Sequence, residues 1–530
     1  MSKPEILKSN NLYFIGLLLL VTGLPVSLFL TSISQFVLFA AFLFEGKIKE
    51  KIARFFQNKT ALLFAGIWIL HLIGLLWTKD MNEGIKDLRI KLPILIMPLI
   101  IAGSMPLSSK QFRWLLLTFV ASVFCGSMIS MSVLLGLIQR NIYDIRDIFI
   151  FNISHIRFAL FTCLSIYILI WISFRQHKEI KIVLKILAVI LISWFLTFLV
   201  IVESVSGLLI FSIAGLILLL YHAFSSEEIK FRIILTTIIL LLPLTSFFIL
   251  EKFVNNFYIN HPYPINITEK TILGNNYTFN LKDPLYENGY PVWVYVCDDE
   301  LRTSWNITST INYDSTDERK QALKYTLVRF LSSKGLRKDA EGLSKLSAKE
   351  IRSIERGIAN VNYQEISSIH ARLLQIMWEF DLAIKGGNPN GHSVTQRFEF
   401  WKAALGIASS NVIIGVGTGD MPSAYNQQYK SMNSSLDAQH QLRAHNQFLA
   451  FMVAFGLVGF IYFSLAFFYP WFIYRRKIGF LFAAFFLISI ISMQSEDTLE
   501  TQAGATFVAF FFSLFLFGRP DIKIENHLTH

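Results

Sequence analysis

Long runs of apolar residues recur along this 530-residue chain and are separated by short polar stretches. A helix of roughly 17 to 25 apolar residues can cross a hydrocarbon layer about 30 Å thick. Twelve runs predict transmembrane helices, at about 11–24, 28–45, 60–77, 92–104, 114–138, 156–174, 182–202, 205–223, 233–251, 447–468, 478–493 and 502–518. The predicted fold class is therefore an all-α polytopic membrane protein of about 12 transmembrane helices, with one large mixed periplasmic loop domain.

The spacing of these runs divides the chain into four parts. Residues 1–251 form an N-terminal transmembrane region of about nine helices. Residues 252–446 form the large loop domain, residues 447–518 a C-terminal transmembrane region of about three helices, and residues 519–530 a tail.

Lysine and arginine predict which side each loop faces, because they collect in cytoplasmic loops. Two stretches set the orientation, "EGKIKEKIARFFQNK" (45–59) and "YRRK" (474–477), and "FRQHKEIK" (174–181) then also falls inside. They place both termini in the cytoplasm and residues 252–446 on the outer side of the membrane. Residues 79–91, "KDMNEGIKDLRIK", are basic yet fall outside, where we interpret them as an interfacial amphipathic segment.

The loop domain contains two kinds of sequence pattern, one typical of strands and one typical of helices. "NYTFNL" (276–281) and "YPVWVYV" (290–296) favour strands. "SAKE" at 347–350 has the spacing of a capping box that begins a helix. Further helices are predicted over 364–384 and about 395–408, and in the second of these Phe398, Trp401, Leu405 and Ala408 share one face.

Composition agrees with a membrane protein, since 53% of the residues are hydrophobic, 16% are charged and the mean hydropathy is +0.50. A net charge of +11 could suggest nucleic acid, but the basic residues are spread over loops that membrane orientation explains. Cys125 and Cys163 fall in predicted spans and Cys297 outside, so no disulfide framework is indicated.

Several polar residues gather near the outer boundary in this topology. Arg157, in "SHIRFALF", lies at the outer end of the sixth span, and Arg397, in "TQRFEFW", begins the last loop helix. Arg443, His445 and Asn446 stand directly before the tenth span. Taken singly, an arginine here is more often a membrane anchor than a ligand, and a histidine at a helix start is usually solvated.

Four neighbouring features have simple structural interpretations. Ser204 and Ser206 lie in the turn after the seventh span, where Ser-Gly usually means tight packing, and Trp401 is expected in the core rather than as a sugar platform. "GVGTG" (415–419) is interpreted as a turn. Glu496, Asp497 and Glu500 form the last outer loop, which is expected to be a solvated face.

Together, these polar residues predict a binding site that none of them predicts alone. Two arginines and a histidine on one side of a membrane suit an anionic lipid-linked substrate, because guanidinium stays charged and binds phosphate through two N–H groups. Imidazole can accept a proton near neutral pH, and we expect flanking positive charge to lower the pKa of His445 and keep it neutral. We find no metal-ligand spacing, Walker loop or dinucleotide fingerprint, so no metal and no cofactor are predicted.

The chain resembles the O-antigen ligase and O-antigen polymerase superfamily of membrane glycosyltransferases. The stretches that carry the resemblance are "SHIRFAL", "SVSG", "QRFEFWKAALGIASSNVIIGVGTGDM" and "RAHNQFLAFMVAFGLVGF". The family often has Ser-Arg-Gly where this chain has Val205-Ser206-Gly207, so the diphosphate contact of that arginine is not carried over.

The resemblance implies a donor, an acceptor and roles for matching residues. Arg157 and Arg397 would bind the diphosphate of an undecaprenyl-diphosphate-linked glycan, and His445 would take the proton of an acceptor hydroxyl, with Arg443 and Asn446 beside it. Lipid A–core is the acceptor that the large loop favours, and direct displacement would invert the anomeric carbon. No metal or nucleotide would be needed, because the donor is already activated.

Three alternatives stay open. The acceptor could be another lipid-linked repeat, as in a polymerase, or a protein hydroxyl, as in a protein O-oligosaccharyltransferase. A non-catalytic transporter of lipid-linked glycans is a different class. Transporters usually place ionisable residues near the membrane midplane, whereas the nearest candidate here, Glu203, lies at a span end.

Overall fold

The computed structural model describes residues 3–142, 145–151, 153–175, 182–225, 229–257, 265–283, 285–364, 369–387, 389–474 and 478–519. Helices dominate this part of the chain, and its strands are short. Most of the basic segments 174–181 and 474–477 and of the tail 519–530 lies outside the described residues.

The N-terminal half is a succession of helices. They are α1 (Lys3–Val26), α2 (Leu28–Phe44), α3 (Ile48–Gln57), α4 (Lys59–Ile73), α5 (Met81–Lys91), α6 (Pro93–Gly103), α7 (Ser109–Leu134), α8 (His155–Arg175), α9 (Ile182–Ile201), α10 (Val205–Ser225) and α11 (Ile229–Phe257). Three helices end the described chain: α19 (Gln447–Ile473), α20 (Phe480–Ser495) and α21 (Gln502–Phe517).

Within the described ranges, seven helices are long and apolar enough to cross a membrane. They span Lys59–Trp77, Ser109–Leu134, His155–Ser173, Ile182–Ile201, Val205–Phe224, Arg232–Lys252 and Gln447–Ile473. The pair α2 and α3, bent by 111°, would make an eighth. The other predicted runs also form helices, but shorter ones, so the polytopic character is confirmed while the count of about twelve stays a prediction.

Helix α21 forms the centre of the bundle. Every residue from Ala503 to Phe517 is buried, and Phe512 stacks on Phe64 of α4 with ring centroids 4.0 Å apart. Helix α11 is the opposite case, since only 11% of its apolar window is buried within the chain. A helix that exposes apolar residues on most of its surface is suited to contact with lipid.

The short helix α6 joins two groups of charged residues. Lys91 precedes it, and Gly103 at its far end packs against the backbone of Lys51 in the basic segment 45–59. Eleven residues of helix span about 16 Å. The basic segment and Lys91 therefore lie at opposite ends of α6, while the sidedness of the membrane stays a prediction.

Residues 265–364 contain the strands and a separate hydrophobic core. The strands are β1 (Thr278–Phe279), β2 (Tyr286–Glu287), β3 (Tyr290–Pro291) and β4 (Val294–Val296), in antiparallel pairs β1–β4 and β2–β3. The helices are α12 (Asp298–Thr308), α13 (Leu323–Ser333), α14 (Ala340–Ser344) and α15 (Ala348–Glu355). The predicted strands and the capping box are confirmed, because Ser347 and Glu350 cap each other at the start of α15.

Three helices lead from this region back to the bundle: α16 (Ile369–Ile384), α17 (Thr395–Ser410) and α18 (Met421–Ser431). The predicted helices over 364–384 and 395–408 correspond to α16 and α17. The buried face of α17 carries Phe400, Ala403 and Ile407, whereas Phe398 and Leu405 are half exposed. Of the face named from the sequence, Ala408 is buried and Trp401 packs against the core, so the prediction for this face is confirmed only in part.

Candidate functional site

The last outer loop is an anionic centre and not a solvated face, so that expectation is wrong. After α20 ends, a single turn at Thr498–Glu500 folds the chain back into α21. This turn buries Glu496, Asp497 and Glu500, each less than 10% exposed. Buried carboxylates are costly unless they are paired, so these three require cations around them.

Arg157 supplies the first cation, from the opening turn of α8. Its side chain is buried, with Nη1 3.1 Å from Oε2 of Glu496 and Nη2 donating to the backbone carbonyl of Asp497 at 3.4 Å. An arginine that serves as a membrane anchor would extend into the interfacial water. Arg157 instead points into protein and holds the last outer loop.

Arg397 reaches the same carboxylate from α17. Its Nη2 lies 3.0 Å from Oε1 of Glu496, so the two oxygens of Glu496 each contact one arginine. Arg397 is partly exposed, whereas Arg157 is buried, which gives the pair an inner and an outer member. The structure thus brings together the two arginines that the sequence singled out.

His445 lies beside this pair, on a backbone that few residues adopt. Its φ is +46°, in the left-handed region, where a residue other than glycine is uncommon. Nδ1 is 3.7 Å from Oδ1 of Asp497 and 3.8 Å from Oε2 of Glu496, distances for ion pairs and not for hydrogen bonds. The ring is about 30% exposed, so it can meet a substrate.

The charge around His445 differs from the expectation. Burial lowers its pKa, but the carboxylates of Asp497 and Glu496 outweigh burial and raise the pKa to about 9. The same two carboxylates are also paired with Arg157, Arg397 and Arg443. The prediction that positive neighbours keep His445 neutral is therefore wrong.

Arg443, Trp401 and Asn446 fix the backbone around His445. Arg443 places Nη2 3.3 Å from Oδ2 of Asp497 and Nη1 3.3 Å from Oε2 of Glu500. The indole N–H of Trp401 donates to the carbonyl of Ala444 at 2.9 Å, so this side chain supports the site from α17. Asn446 caps α19 by accepting from the amide of Leu449, and its Nδ2 donates to the carbonyl of Gln494.

Ser206 has a different place in the structure. It lies in the first turn of α10, where the neighbouring Ser204 accepts the amide of Gly207. The packing interpretation of this turn agrees with Gly207, whose added Cβ would be 2.9 Å from Cβ of Ala159. In the part of the chain that the structure describes, no contact is seen between Ser206 and the charged cluster.

Helix α5 adds two charged residues that the sequence did not single out. Lys91, in its last turn, is completely buried and pairs with Asp87 one turn earlier and with Oε2 of Glu500 at 2.7 Å. Oδ2 of Asp87 lies 3.0 Å from Nδ1 of His71 in α4. The basic stretch 79–91, which lies on the side where lysine is not expected, could have indicated this role. One of its lysines enters the site instead of facing solvent.

The "GVGTG" segment interrupts the membrane-spanning helix that follows His445. Helix α19 breaks at Gly456, where φ is +61° and ψ is −155°. Amides of Leu457 and Val458 donate to Val412 and Ile413, while those of Val416 and Gly417 donate back to Val453 and Ala454. These bonds satisfy backbone groups that a broken helix would otherwise leave unpaired.

A metal ion could use donor atoms of His445, Glu496 and Asp497, which lie within 4.8 Å of one another. Both carboxylates already face arginine side chains at 3.0 to 3.3 Å. A divalent cation would have to displace those guanidinium groups and would remain among them. The donor set therefore does not fit a resident cation well, and independence from metal stays a prediction.

A known protein family matches the part of the chain that carries several residues of this site. Residues 356–464 match the family model described as O-antigen ligase. The match confirms the resemblance to the O-antigen ligase and polymerase superfamily. It includes Arg397, Trp401, Arg443, His445 and Asn446, and it ends before the acidic loop that pairs with them.

This superfamily consists of glycosyltransferase-like membrane enzymes, and ligase-type or polymerase-type activity is supported for this chain at that level. A search of curated proteins finds no match. The polytopic character agrees with the family, since seven helices of the described residues can span a membrane.

Proposed function

We propose that the protein is an O-antigen ligase-like glycosyltransferase that moves a glycan from undecaprenyl diphosphate to a hydroxyl of lipid A–core at the periplasmic face of the inner membrane. One observation carries this proposal: Arg157 and Arg397 converge on a single carboxylate directly beside His445. Two guanidinium groups that share the carboxylate of Glu496 are arranged to share another anion when a substrate binds.

The donor diphosphate is the anion that suits this arrangement. Guanidinium binds carboxylate and phosphate oxygens with the same planar geometry, so a diphosphate can take the place that Glu496 holds. Arg397 is the more exposed of the two and would meet the donor first. Arg157, held within the bundle, would stabilise the charge that develops as the diphosphate leaves.

The transfer itself balances without a further reactant. The acceptor oxygen attacks the anomeric carbon, the bond from that carbon to the phosphate oxygen breaks, and the bonding pair leaves with undecaprenyl diphosphate. Neutral His445 takes the hydroxyl proton as the new glycosidic bond forms. Attack from the side opposite the leaving group inverts the anomeric configuration.

The carboxylates beside His445 give this base its strength. A carboxylate next to a catalytic histidine stabilises the imidazolium that forms when the histidine takes a proton. Asp497 and Glu496 occupy that position here, at 3.7 and 3.8 Å from Nδ1. His445 is accordingly a strong base that is mostly protonated at neutral pH, with a pKa of about 9.

A transporter of lipid-linked glycans is the alternative from another class. It predicts ionisable groups near the middle of the spans. The charged cluster described above instead joins helix ends and loops, namely the last turn of α5, the first turns of α8 and α17, the residues before α19 and the turn between α20 and α21. This location favours an enzyme acting where a lipid head group meets a soluble acceptor.

Purified protein in detergent tests the proposal directly. Undecaprenyl-diphosphate-linked glycan is supplied with lipid A–core, with a second lipid-linked repeat or with a serine-containing peptide. Transfer to lipid A–core supports the ligase, whereas transfer only to the repeat or the peptide identifies a polymerase or a protein O-oligosaccharyltransferase.

Two controls complete this experiment. A chelator should leave transfer intact, and a strict requirement for added metal would contradict the mechanism. His445→Ala should abolish transfer while donor binding persists, because binding rests on the arginines. Movement of labelled donor across liposomes without transfer to any acceptor, unchanged by His445→Ala, would identify a transporter.

A further inference from the structure

We infer that Lys91 is a positioning residue for glycosyl transfer, acting through Glu500, Arg443 and Asp497 to set the position of His445. This inference rests on the proposed function, since it assigns a role within the same site. It starts from the juxtaposition of a lysine in α5 and a glutamate 409 positions later in the chain.

The burial of Lys91 shows that its charge is not incidental. Its side chain is 1% exposed, and an isolated ammonium in such a place would be unstable. Burial lowers the pKa of Lys91, but the carboxylates of Asp87 and Glu500 outweigh burial and raise the pKa above its usual value. Lys91 is therefore a permanent cation at neutral pH.

Glu500 distributes this charge to the segment that carries His445. Its Oε2 lies 2.7 Å from Nζ of Lys91 and 3.3 Å from Nη1 of Arg443, and its Oε1 accepts from Nε2 of Gln447 at 3.2 Å. Gln447 in turn accepts the amide of Leu499 at 2.7 Å. The side chain of Glu500 thus ties α5 to both sides of His445 in the sequence.

Arg443 completes the connection. With one nitrogen on Glu500, it offers the other to Oδ2 of Asp497, whose Oδ1 is the atom closest to the His445 ring. Because Lys91 shares the charge of Glu500, Arg443 remains available to hold Asp497 in place. Without Lys91, we expect Arg443 to move toward Glu500 and release Asp497.

The charges around Lys91 predict the direction in which its removal shifts the pH dependence of transfer. Lys91 faces Asp87 from its own helix and Glu500 from the loop, with His71 behind Asp87 and Arg443 behind Glu500. Removal of Lys91 makes this region more negative and frees Asp497 for the imidazole. Both changes favour the protonated form of His445, so the pH at which transfer reaches half its maximum should rise.

The test compares four proteins reconstituted with the lipid-linked donor and the acceptor: wild type, Lys91→Met, the double variant Lys91→Met/Glu500→Gln, and Lys86→Met. Lys86 lies on the same helix but is exposed and pairs with Glu83, so its variant is the matched control. We expect Lys91→Met to lower kcat by about tenfold or more, since small misplacements of a catalytic group have effects of that size. The KM for the donor should change much less than kcat, because Arg157 and Arg397, the groups proposed to contact the diphosphate, are untouched.

The pH midpoint separates positioning from mere stability. We expect a higher midpoint in Lys91→Met, a midpoint near that of the wild type in the double variant, where the unpaired carboxylate is gone, and no change in Lys86→Met. A wild-type midpoint and wild-type kcat in Lys91→Met would overturn this inference alone, as would a loss of donor binding in step with a lowered melting temperature. Absence of transfer by the wild-type protein would overturn the proposed function and this role with it.

Discussion

Glu496 Oε2 lies 3.1 Å from Arg157 Nη1, although the two residues are 339 positions apart in the chain. The same carboxylate is also paired with Arg397, so it contacts both of the arginines that are proposed to bind the donor. The proposed binding of the donor would therefore be an exchange of anions on a preformed pair of guanidinium groups, and not the recruitment of unpaired charges.

Replacement of either donor arginine by lysine should show the need for a planar group. We expect Arg157→Lys and Arg397→Lys each to lower the transfer rate about ten- to a hundredfold, equivalent to about 1.5–3 kcal/mol of a charge-assisted contact. Initial rates with purified protein measure the effect, and Arg352→Lys, at an exposed site of the loop domain, is the control. Near-normal rates for both variants would mean that neither arginine holds the donor.

Glu496→Gln tests the exchange of anions. The amide keeps the shape of the side chain but removes the charge that competes with diphosphate, so we expect the donor to bind about tenfold tighter or better. The same change removes the negative charge that Arg157 and Arg397 share, so the melting temperature measured before addition of donor should fall. Titration of a labelled donor measures the affinity, with the exposed Glu341→Gln as the control. Weaker donor binding in Glu496→Gln would contradict the exchange.

The rate of transfer should rise with pH toward about 9, because the neutral form of His445 is the base and its pKa is raised to about 9. His445→Ala should lose this rise together with about a hundred- to ten-thousandfold of the rate. The free energy of unfolding should instead decrease as the pH rises. A raised pKa adds stability that is fully present below about pH 6.5 and is lost as the pH increases through about 9.

Those two curves are measured on the wild-type protein and on His445→Ala, by initial rates and by thermal unfolding across pH 6 to 10. A rate that is flat over this range in the wild type would exclude His445 as the base. An equal pH dependence of unfolding in both proteins would show that the carboxylates do not hold a proton on this ring.

Gly456→Ala should disrupt the break in α19. The φ and ψ of Gly456 are in a region that is nearly exclusive to glycine, and an added Cβ would lie 2.4 Å from the carbonyl carbon of Ile413. We expect a loss of about 1–3 kcal/mol from the backbone alone and a further loss from the clash. Gly136→Ala is the matched control, because its φ is +73° but nothing lies within 4 Å. Equal melting temperatures for both variants would mean that the clash is relieved elsewhere.

Membrane sidedness is tested by reporter fusions at Lys334 and at Arg476. The basic loops predict that the first faces the periplasm and the second the cytoplasm. Alkaline phosphatase is active only in the periplasm, so the two fusions should differ in activity. The same compartment for both sites would overturn the topology, and with it the proposed location of the site.

Continuous apolar runs predicted the helices well, because nearly every residue of a helix that enters lipid must be apolar. Helix α7 and the span within α8 follow directly from such runs. The strands near Val294 and the capping box at Ser347 were also predictable, since both depend on neighbours in the chain. The number of crossings was harder, because 16-residue helices such as α20 and α21 are compatible with a membrane or with a buried core.

The site was predicted in part. Arg157, Arg397 and His445 do converge, but an acidic loop between two spans predicts a solvated surface, because acidic residues usually are solvated. Only the fold shows that Glu496 is enclosed by partners from α8 and α17. Lys91 was missed for the same reason, since its pairing with Glu500 joins distant parts of the chain.

The closed network of ion pairs makes the site's overall charge depend on one exchangeable proton. Lys91, Arg157, Arg397 and Arg443 are opposed by Asp87, Glu496, Asp497 and Glu500, all within this network. With these charges balanced, the imidazolium of His445 leaves the site net positive, and the neutral ring leaves it uncharged. In the proposed mechanism, a diphosphate would therefore bind more firmly when that proton is present, whereas the acceptor could be activated only when it is absent. Affinity for the donor and speed of turnover would then change in opposite directions with pH, so the working range of such an enzyme would be a compromise between holding its substrate and using it.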